Sequence, residues 1–253
     1  MDYRIEPLTE IDQFRQCLEI QRAAWGFADE DVLPLRGLVV CSKIGGQVFG
    51  AMDGDGKVLG FINAFPGYRE GQVFLHSNMM GVRPEFQNLG IGWRLKLAQR
   101  EESLSRGIHL IEWTFDPLEV RNARFNLELL GAMCRRYLVN TYGVTTSHLH
   151  GGLPTDRLVA EWHLDNPRVQ ARMERLKPDP FPDAPAGVVE FPLDIGETRS
   201  RDPNTALRVQ MSLRERMLQF LEGQLCLTRF EIDRQQQKAR YFFEPSTPAT
   251  AQS

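Results

Sequence analysis

The chain has 253 residues with 42% hydrophobic and 25% charged side chains, and its formal net charge at pH 7 is −3. This length suffices for one large domain, or for a domain with a smaller companion, and the composition is typical of a globular protein with an ample core. A slightly acidic chain offers no overall basic surface, which excludes nucleic acid as an expected partner. We expect neither a membrane-spanning segment nor a signal peptide, and therefore no membrane partner.

The four cysteines are scattered without the Cys-x-x-Cys spacing of metal or redox sites. They are expected to be free thiols of a reducing compartment, which favours a cytoplasmic protein. His148 and His150 would lie on one side of an extended segment, as metal ligands sometimes do, but no third ligand follows at a suitable spacing. We therefore predict no metal site.

Alternating and helical periodicities in the first 65 residues predict a strand, two helices and a β-hairpin. Thr9 is the expected cap of the first helix, which ends at Trp25-Gly26. The hairpin turn is Asp53-Gly54-Asp55-Gly56, a composition typical of tight turns. In chain order the elements are a strand over 3–8, helices over 9–25 and 34–43, and strands over 47–52 and 57–65.

A βαβ unit is predicted next, after a turn over residues 66–71. It consists of a strand at Val73–Val82, a turn, a helix at Trp93–Leu104 and a second strand at Ile108–Phe115. Such a crossover is right-handed and brings its two parallel strands close together. The rest of the predicted fold is built around this unit.

Two glycines lie where the turn of this unit enters its helix, at Gly90 and Gly92. Backbone N–H groups at the start of a helix lack intrahelical partners, and glycine lets a ligand approach them closely. The positive end of the helix dipole favours an anion there, typically a phosphate. The pattern therefore predicts a diphosphate-binding turn; the alternative is a glycine-rich turn that holds no ligand.

Two familiar phosphate-binding patterns do not fit this turn. A dinucleotide fold requires a third glycine where this chain has Leu95, and a P-loop requires Gly-Lys-Ser/Thr where it has Gly92-Trp93-Arg94. The remaining pattern, Gln87-x-x-Gly90-x-Gly92 after a strand that ends in Val82-Arg83-Pro84, resembles the pyrophosphate loop of the GNAT superfamily of acyl-CoA-dependent N-acyltransferases. The resemblance covers about the first two thirds of the chain.

The resemblance implies that acetyl-CoA, or another acyl-CoA, is a co-substrate. Its pantetheine arm would bond to the backbone of the first strand, where a glycine at position 81 suits the close approach of another chain. Asn122, near the start of a later helix, would meet the same arm or act as a helix cap. The implied cofactor-binding residues are Met80, Gly81, Val82, Gln87, Asn88, Leu89, Gly90, Ile91, Gly92, Trp93 and Asn122.

The base of this family is often a carboxylate on the same strand, four or six residues before the valine. Those positions are Asn78 and His76 here, and strand alternation puts both on the face of Val82. Asn78 can orient a substrate, whereas His76 can accept a proton near neutral pH. The alternative is a structural strand histidine. Glu112, within an apolar run, is expected to pair with an arginine.

The tyrosine that serves this family as general acid is missing from its usual position, where the chain has Leu127. Tyr137 and Tyr142 follow later in the sequence. Either can substitute if the chain folds back, and Tyr137 is the one we assign to the catalytic group; plain packing is the alternative. The helix predicted over 118–133 would continue through Tyr137 to Asn140.

The C-terminal third differs in composition. We predict a strand over 157–164, which closes a core domain of residues 1–165, and a Pro-rich linker over 166–187. A small α+β module would occupy 188–245, with a strand over 188–191, a helix over 203–222 and a hairpin of 225–232 with 238–243. The tail over 246–253 is expected to be disordered. So small a module is expected to dock on the core, or on a second subunit in a homodimer.

The predicted fold is therefore α/β: a GNAT-like, mostly antiparallel mixed sheet with a central βαβ unit and a C-terminal module. The predicted activity is transfer of an acetyl or other short acyl group from acyl-CoA to the amine of a small molecule. The main alternative is a catalytically silent protein that keeps acyl-CoA as a structural or sensory ligand. Transfer to a protein amine is a third hypothesis.

Overall fold

The computed structural model describes residues 2–143, 152–174 and 184–246. These residues form two compact units, the first over 2–113 and the second over the rest. The predicted domain limits (1–165, 166–187 and 188–245) remain predictions, and this division of the chain lies at a different position. His148 and His150 lie outside the described residues. Every described helix is too short or too polar to cross a bilayer.

The first unit carries five strands in the order β1-β2-β3-β4-β5. Neighbouring strands are antiparallel except β4 and β5, which are parallel. The elements are β1 (Arg4–Pro7), α1 (Ile11–Trp25), α2 (Leu35–Lys43), β2 (Gln47–Met52), β3 (Val58–Arg69), β4 (Gln72–Val82), α3 (Ile91–Ser105) and β5 (Leu110–Phe115).

The helices cover both faces of this sheet. Phe14 and Leu38, from α1 and α2, pack with Phe61 on one face. Ile91 and Leu95 of α3 pack with Ile62 on the other. Successive strand residues alternate between the two clusters, as the period of a strand requires. The α/β class and the mostly antiparallel sheet are therefore confirmed.

The second unit has its own strands, in the order β7-β6-β9-β10-β8. Its core contains the fully buried Trp162, Tyr241 and Phe243. Cys134 pairs with Leu227, so the C-terminal hairpin adds to β6. The elements are α4 (Val120–Ala123), a π-helix at Arg124–Leu129, β6 (Met133–Leu138), β7 (Arg157–His163), α5 (Pro167–Met173), β8 (Gly187–Pro192), α6 (Ile195–Arg201), α7 (Pro203–Glu222), β9 (Leu225–Asp233) and β10 (Lys238–Pro245).

Three predictions of local structure are wrong, and one helix was missed. The first helix is capped by Glu10 and Gln13 in a capping box rather than by Thr9. The strand predicted to end at Phe65 continues to Arg69, because β4 pairs with it along that whole length. Residues 133–138 form β6 rather than the end of a helix, because they pair with β7. The short helix α6 was not predicted.

Candidate active site

The parallel strands β4 and β5 separate part of the way along β4. They pair at Leu75–Ile111 and at His76–Glu112. Beyond His76, β4 continues for six residues to Val82, and there we find no further pairing with β5 in the part of the chain that the structure describes. We call the point just beyond these two pairs the fork. Backbone groups on the edge of β4 past the fork are available to a ligand.

The turn after β4 leads directly to the start of α3. A single 3₁₀ turn at Pro84–Phe86 follows the strand, and the Gln87 side chain donates to the carbonyl of Val82 over 3.4 Å. Helix α3 begins at Ile91, and its first intrahelical bond runs from Arg94 N to the carbonyl of Gly90. The amides of Gly90 to Trp93 precede that bond, so the helix itself supplies no acceptor for them.

The glycines at this turn leave room for a ligand. Gly90 has φ 78° at the N-cap of α3, and a Cβ built on it would meet nothing within 4 Å. Gly92 would carry a Cβ 3.3 Å from Cε of Met80, a flexible neighbour. Asn88, Leu89 and Gly90 are exposed. The arrangement fits a diphosphate on the α3 amides.

Gly81 packs closely against α1. A Cβ at this position would lie 3.0 Å from Cη2 of Trp25 and 3.1 Å from Cγ2 of Ile20, both on α1. The glycine therefore makes room for α1, and its contact with the cofactor arm stays a prediction. Met80 and Val82 pack on the opposite face of the sheet, against α3.

A β-bulge at Asn78 changes the faces of β4. Asn63 pairs with Met79 and Ala64 with Ser77, so Asn78 is the extra residue. Ser77 contacts Lys96 of α3, and Met80 packs on the same side although it is three residues away. His76 therefore faces α1 and α2, whereas Val82 faces α3. The predicted common face of His76, Asn78 and Val82 is wrong, because the bulge shifts the alternation by one residue.

His76 lies beside an ion pair whose carboxylate is buried and whose arginine is partly exposed. Its Nδ1 atom is 3.9 Å from Oε1 of Glu112, whose side chain is 7% exposed. Arg69 donates to both carboxylate oxygens of Glu112, over 2.8 and 3.4 Å, which confirms the expected pairing with an arginine. The His76 side chain remains 35% exposed and is open to a substrate. This geometry brings together an exposed imidazole and an oriented carboxylate, the elements of a general base.

Lys96, on the other side of the fork, was missed by the sequence analysis. Its Nζ atom donates to Oγ of Ser77 and to Oε1 of Gln99, each over 3.0 Å, and lies 3.6 Å from the ring centroid of Trp113. The residue is 2% exposed, and burial lowers the pKa of its ammonium group well below 10.5. Its burial was predictable in part from the sequence, because Ile91, Leu95 and Gln99 recur at helical spacing and Lys96 lies within the same stripe of α3.

The other predicted residues lie in the second unit. Asn122 is exposed in α4, and the N-cap is Glu119, so Asn122 is not a cap. Tyr137 is buried in β6 and donates its phenolic proton to Asp156 over 2.7 Å. Burial, and then this carboxylate, raise the Tyr137 pKa. Tyr142 is 52% exposed, and its hydroxyl is 2.8 Å from Oγ1 of Thr114.

Comparisons with known proteins agree with this geometry. The profile of the acetyltransferase (GNAT) family matches residues 14–131. A comparison with curated proteins gives no match.

Solved structures resemble the fold at low sequence identity. The ribosomal-protein-S18-alanine N-acetyltransferase of Escherichia coli is 16% identical with a TM-score of 0.51, covering 65% of this chain and 96% of its own. An aminoglycoside 6′-acetyltransferase type Ii is 21% identical with a TM-score of 0.50, and the match covers 64% of this chain and 98% of that protein. The protein smu.2055 of Streptococcus mutans UA159 is 17% identical with a TM-score of 0.53, and the match covers 64% of this chain and 99% of that protein. Residues 14–131 are therefore similar to the GNAT family of acetyltransferases, and the solved structures share the fold.

Proposed function

We propose that the protein transfers an acetyl or other short acyl group from acyl-CoA to the amine of a small molecule. The observation that carries this proposal is the open turn at the start of α3, which follows the free edge of β4. Gly90 is left-handed with empty space around it, and the amides from Gly90 to Trp93 have no helical acceptor. A diphosphate fits such a site, and a pantetheine arm fits the strand edge beside it.

His76 is the proposed general base. The acceptor amine must lose a proton as its nitrogen attacks the thioester carbon, and an imidazole near neutral pH is suited to take it. Glu112, held by Arg69, faces Nδ1 and would stabilise the imidazolium that forms. Asn78, at the bulge, is exposed and would orient the acceptor. The acyl-CoA supplies the activated acyl group, and the chain supplies its orientation.

Two neighbours in the fold comparison are named for different acceptors, an aminoglycoside in one and the alanine of a ribosomal protein in the other. The proposal of a small-molecule acceptor rests on the compact polar group around His76. Two side chains of that group, Arg69 and His76, each lie within 4 Å of the Glu112 carboxylate, at 2.8 and 3.9 Å. A group of this size can recognise one amine and its immediate substituents.

The carrying observation is tested by Gly92→Asp, with Gly54→Asp as the matched control. An aspartate in the first turn of α3 favours the helix, and its Cβ would meet only the flexible Met80 side chain. Its charge would repel a diphosphate. Calorimetry should give acetyl-CoA binding for the wild type and for Gly54→Asp, which lies in an exposed turn, and at least tenfold weaker binding for Gly92→Asp. Equal binding by all three proteins would contradict the proposed diphosphate site at the start of α3.

The rival function is an acyl-CoA-binding protein without turnover. It is favoured by Leu127 in place of the usual tyrosine, and by the hydrogen bond that holds the Tyr137 hydroxyl on Asp156; catalysis by Tyr137 stays a prediction. Thiol release from acetyl-CoA, measured over a panel of small amines, separates the two functions. Release that requires an amine supports the enzyme, whereas binding without release on any amine supports the rival.

A further inference from the structure

Lys96 marks the point where β4 and β5 part. The last paired residues are His76 and Glu112, and the residues that follow them directly are Ser77 and Trp113. Nζ of Lys96 contacts both, at 3.0 Å from Oγ of Ser77 and 3.6 Å from the ring centroid of Trp113. The amine therefore lies at the fork, on the α3 side, while His76 faces the α1 and α2 side.

A lysine is a costly residue at this position. It is 2% exposed within the stripe of α3 that packs on the sheet. Taking an ammonium group out of water is unfavourable even when it is hydrogen-bonded, and apolar replacements of similar volume are often neutral or stabilising. Methionine has a similar length and would fill the same space. Retention of a lysine amine here indicates a role other than packing.

An acyl-CoA bound at the start of α3 would place its thioester near the fork. A diphosphate on the amides of α3 fixes one end, and the arm follows the free edge of β4 from Val82 towards Ser77. The edge closes at the fork, because β5 pairs with β4 from there. The thioester would therefore stop close to the fork, between Lys96 on one side and His76 on the other.

We propose that Lys96 is a catalytic residue that donates a hydrogen bond to the thioester carbonyl oxygen. The inference rests on the proposed function and assigns a new residue to it. When the amine nitrogen attacks the carbonyl carbon, a C–N bond forms and negative charge develops on this oxygen. The C–S bond then breaks, the carbonyl re-forms, and the amine proton taken by His76 balances the departing thiolate. Lys96 keeps its own protons throughout and stabilises charge only in the transition state.

Lys96→Met tests this role with two independent readouts. Removal of the buried amine should raise the Tm of the unliganded protein, by about 2–4 °C or more. Loss of an oxyanion donor should lower kcat about 10²–10³-fold with little change in KM for acetyl-CoA. Lys96→Gln keeps an N–H donor without the charge, and should retain more of kcat than Lys96→Met. Lys43→Met, the same change on the exposed end of α2, should alter neither quantity.

A merely structural lysine gives the opposite result. A lower Tm for Lys96→Met, whether kcat is unchanged or falls in step with it, would overturn the proposal, because the loss would then reflect packing. Equal kcat for the methionine variant and the wild type would also overturn it. Failure of the proposed function gives a different result, because the wild type itself would then release no thiol. The Tm values of the wild type and Lys96→Met would still show whether the buried amine lowers stability.

Discussion

The two sides of the β4–β5 fork carry charge in different ways. On the α1 and α2 side, His76 is 35% exposed and lies beside the Glu112–Arg69 pair, whose arginine is 39% exposed. On the α3 side, Lys96 is 2% exposed and contacts a hydroxyl, an amide and an aromatic ring. One side presents an imidazole and a guanidinium group to solvent, and the other encloses an amine within the core.

This difference matters for the chemistry that each side can perform. A group that exchanges protons must reach its donor and acceptor, so an exposed imidazole is suited to proton transfer. A fixed, dehydrated donor cannot exchange protons readily, but it is worth more to a developing charge than the same group in water. In the proposed mechanism, proton transfer therefore suits His76 and charge stabilisation suits Lys96.

The largest effect is expected for His76→Ala. Loss of a general base typically lowers kcat about 10²–10⁴-fold, while acetyl-CoA binding should persist because His76 is separate from the α3 turn. Thiol release with a responsive amine measures kcat, and calorimetry measures binding. His109→Ala, at an exposed position just before β5, is the control. Unchanged turnover in His76→Ala would remove the base from the mechanism.

The second effect concerns stability on the Lys96 side. Burial lowers the pKa of Lys96 in the folded state, so between that value and the ordinary 10.5 the unfolded chain binds a proton that the folded chain lacks. The contribution of Lys96 to the free energy of unfolding should therefore rise with pH in this range, by about 1.4 kcal/mol per pH unit, and fall as pH decreases towards the lowered pKa.

Lys96→Met should lack this dependence. Urea unfolding of both proteins between about pH 8 and pH 10 measures it as a difference, because the buried cysteines, whose pKa values burial raises, are the same in both proteins and cancel. The advantage of the variant should shrink as pH rises. A constant difference between the two proteins would mean that Lys96 has the same pKa folded and unfolded.

A third, smaller effect is expected for Arg69→Met. The variant removes two hydrogen bonds to the buried carboxylate of Glu112. Because Arg69 is 39% exposed, solvent screens much of the pair, and the loss in free energy of unfolding should be about 1–2 kcal/mol. Arg15→Met, which breaks an exposed pair with Asp12, should cost less than about 0.5 kcal/mol. Equal costs for both variants would mean that burial of Glu112 has no energetic weight.

The sequence predicted the helices and strands better than the local geometry of the β4–β5 fork. Helix α7 spans Pro203–Glu222, the predicted bounds, because Asp202 caps it and Pro203 begins it. The strand β4 was also predicted, from its apolar residues and flanking turns. The bulge at Asn78 was not, because it depends on pairing with Asn63 and Ala64, and alternation along one strand contains no information about its partner.

Tertiary contacts explain the other failures. Residues 133–138 have an apolar spacing compatible with a helix, but pairing with β7 and β9 makes them a strand. Lys96 belongs by residue type to a polar helix face, where long side chains usually remain in water. Only its contacts with Ser77 and Trp113 identify it as part of the fork. The glycine turn before α3 was predictable because glycine spacing and the helix start are both local; phosphate binding there stays a prediction.

The smallest effect is expected for Ser77→Ala, which separates the contribution of Ser77 from that of Gln99 as acceptors for Lys96. The variant removes the hydroxyl that accepts from Nζ but leaves the Gln99 amide oxygen in place. A single lost hydrogen bond should lower the free energy of unfolding by about 0.5–1.5 kcal/mol in urea titrations. Because Ser77 orients Lys96 without itself touching the thioester in the proposed mechanism, kcat should fall less than in Lys96→Met. A larger fall in kcat for Ser77→Ala would instead make the serine hydroxyl the donor at the fork, with Lys96 as the residue that positions it.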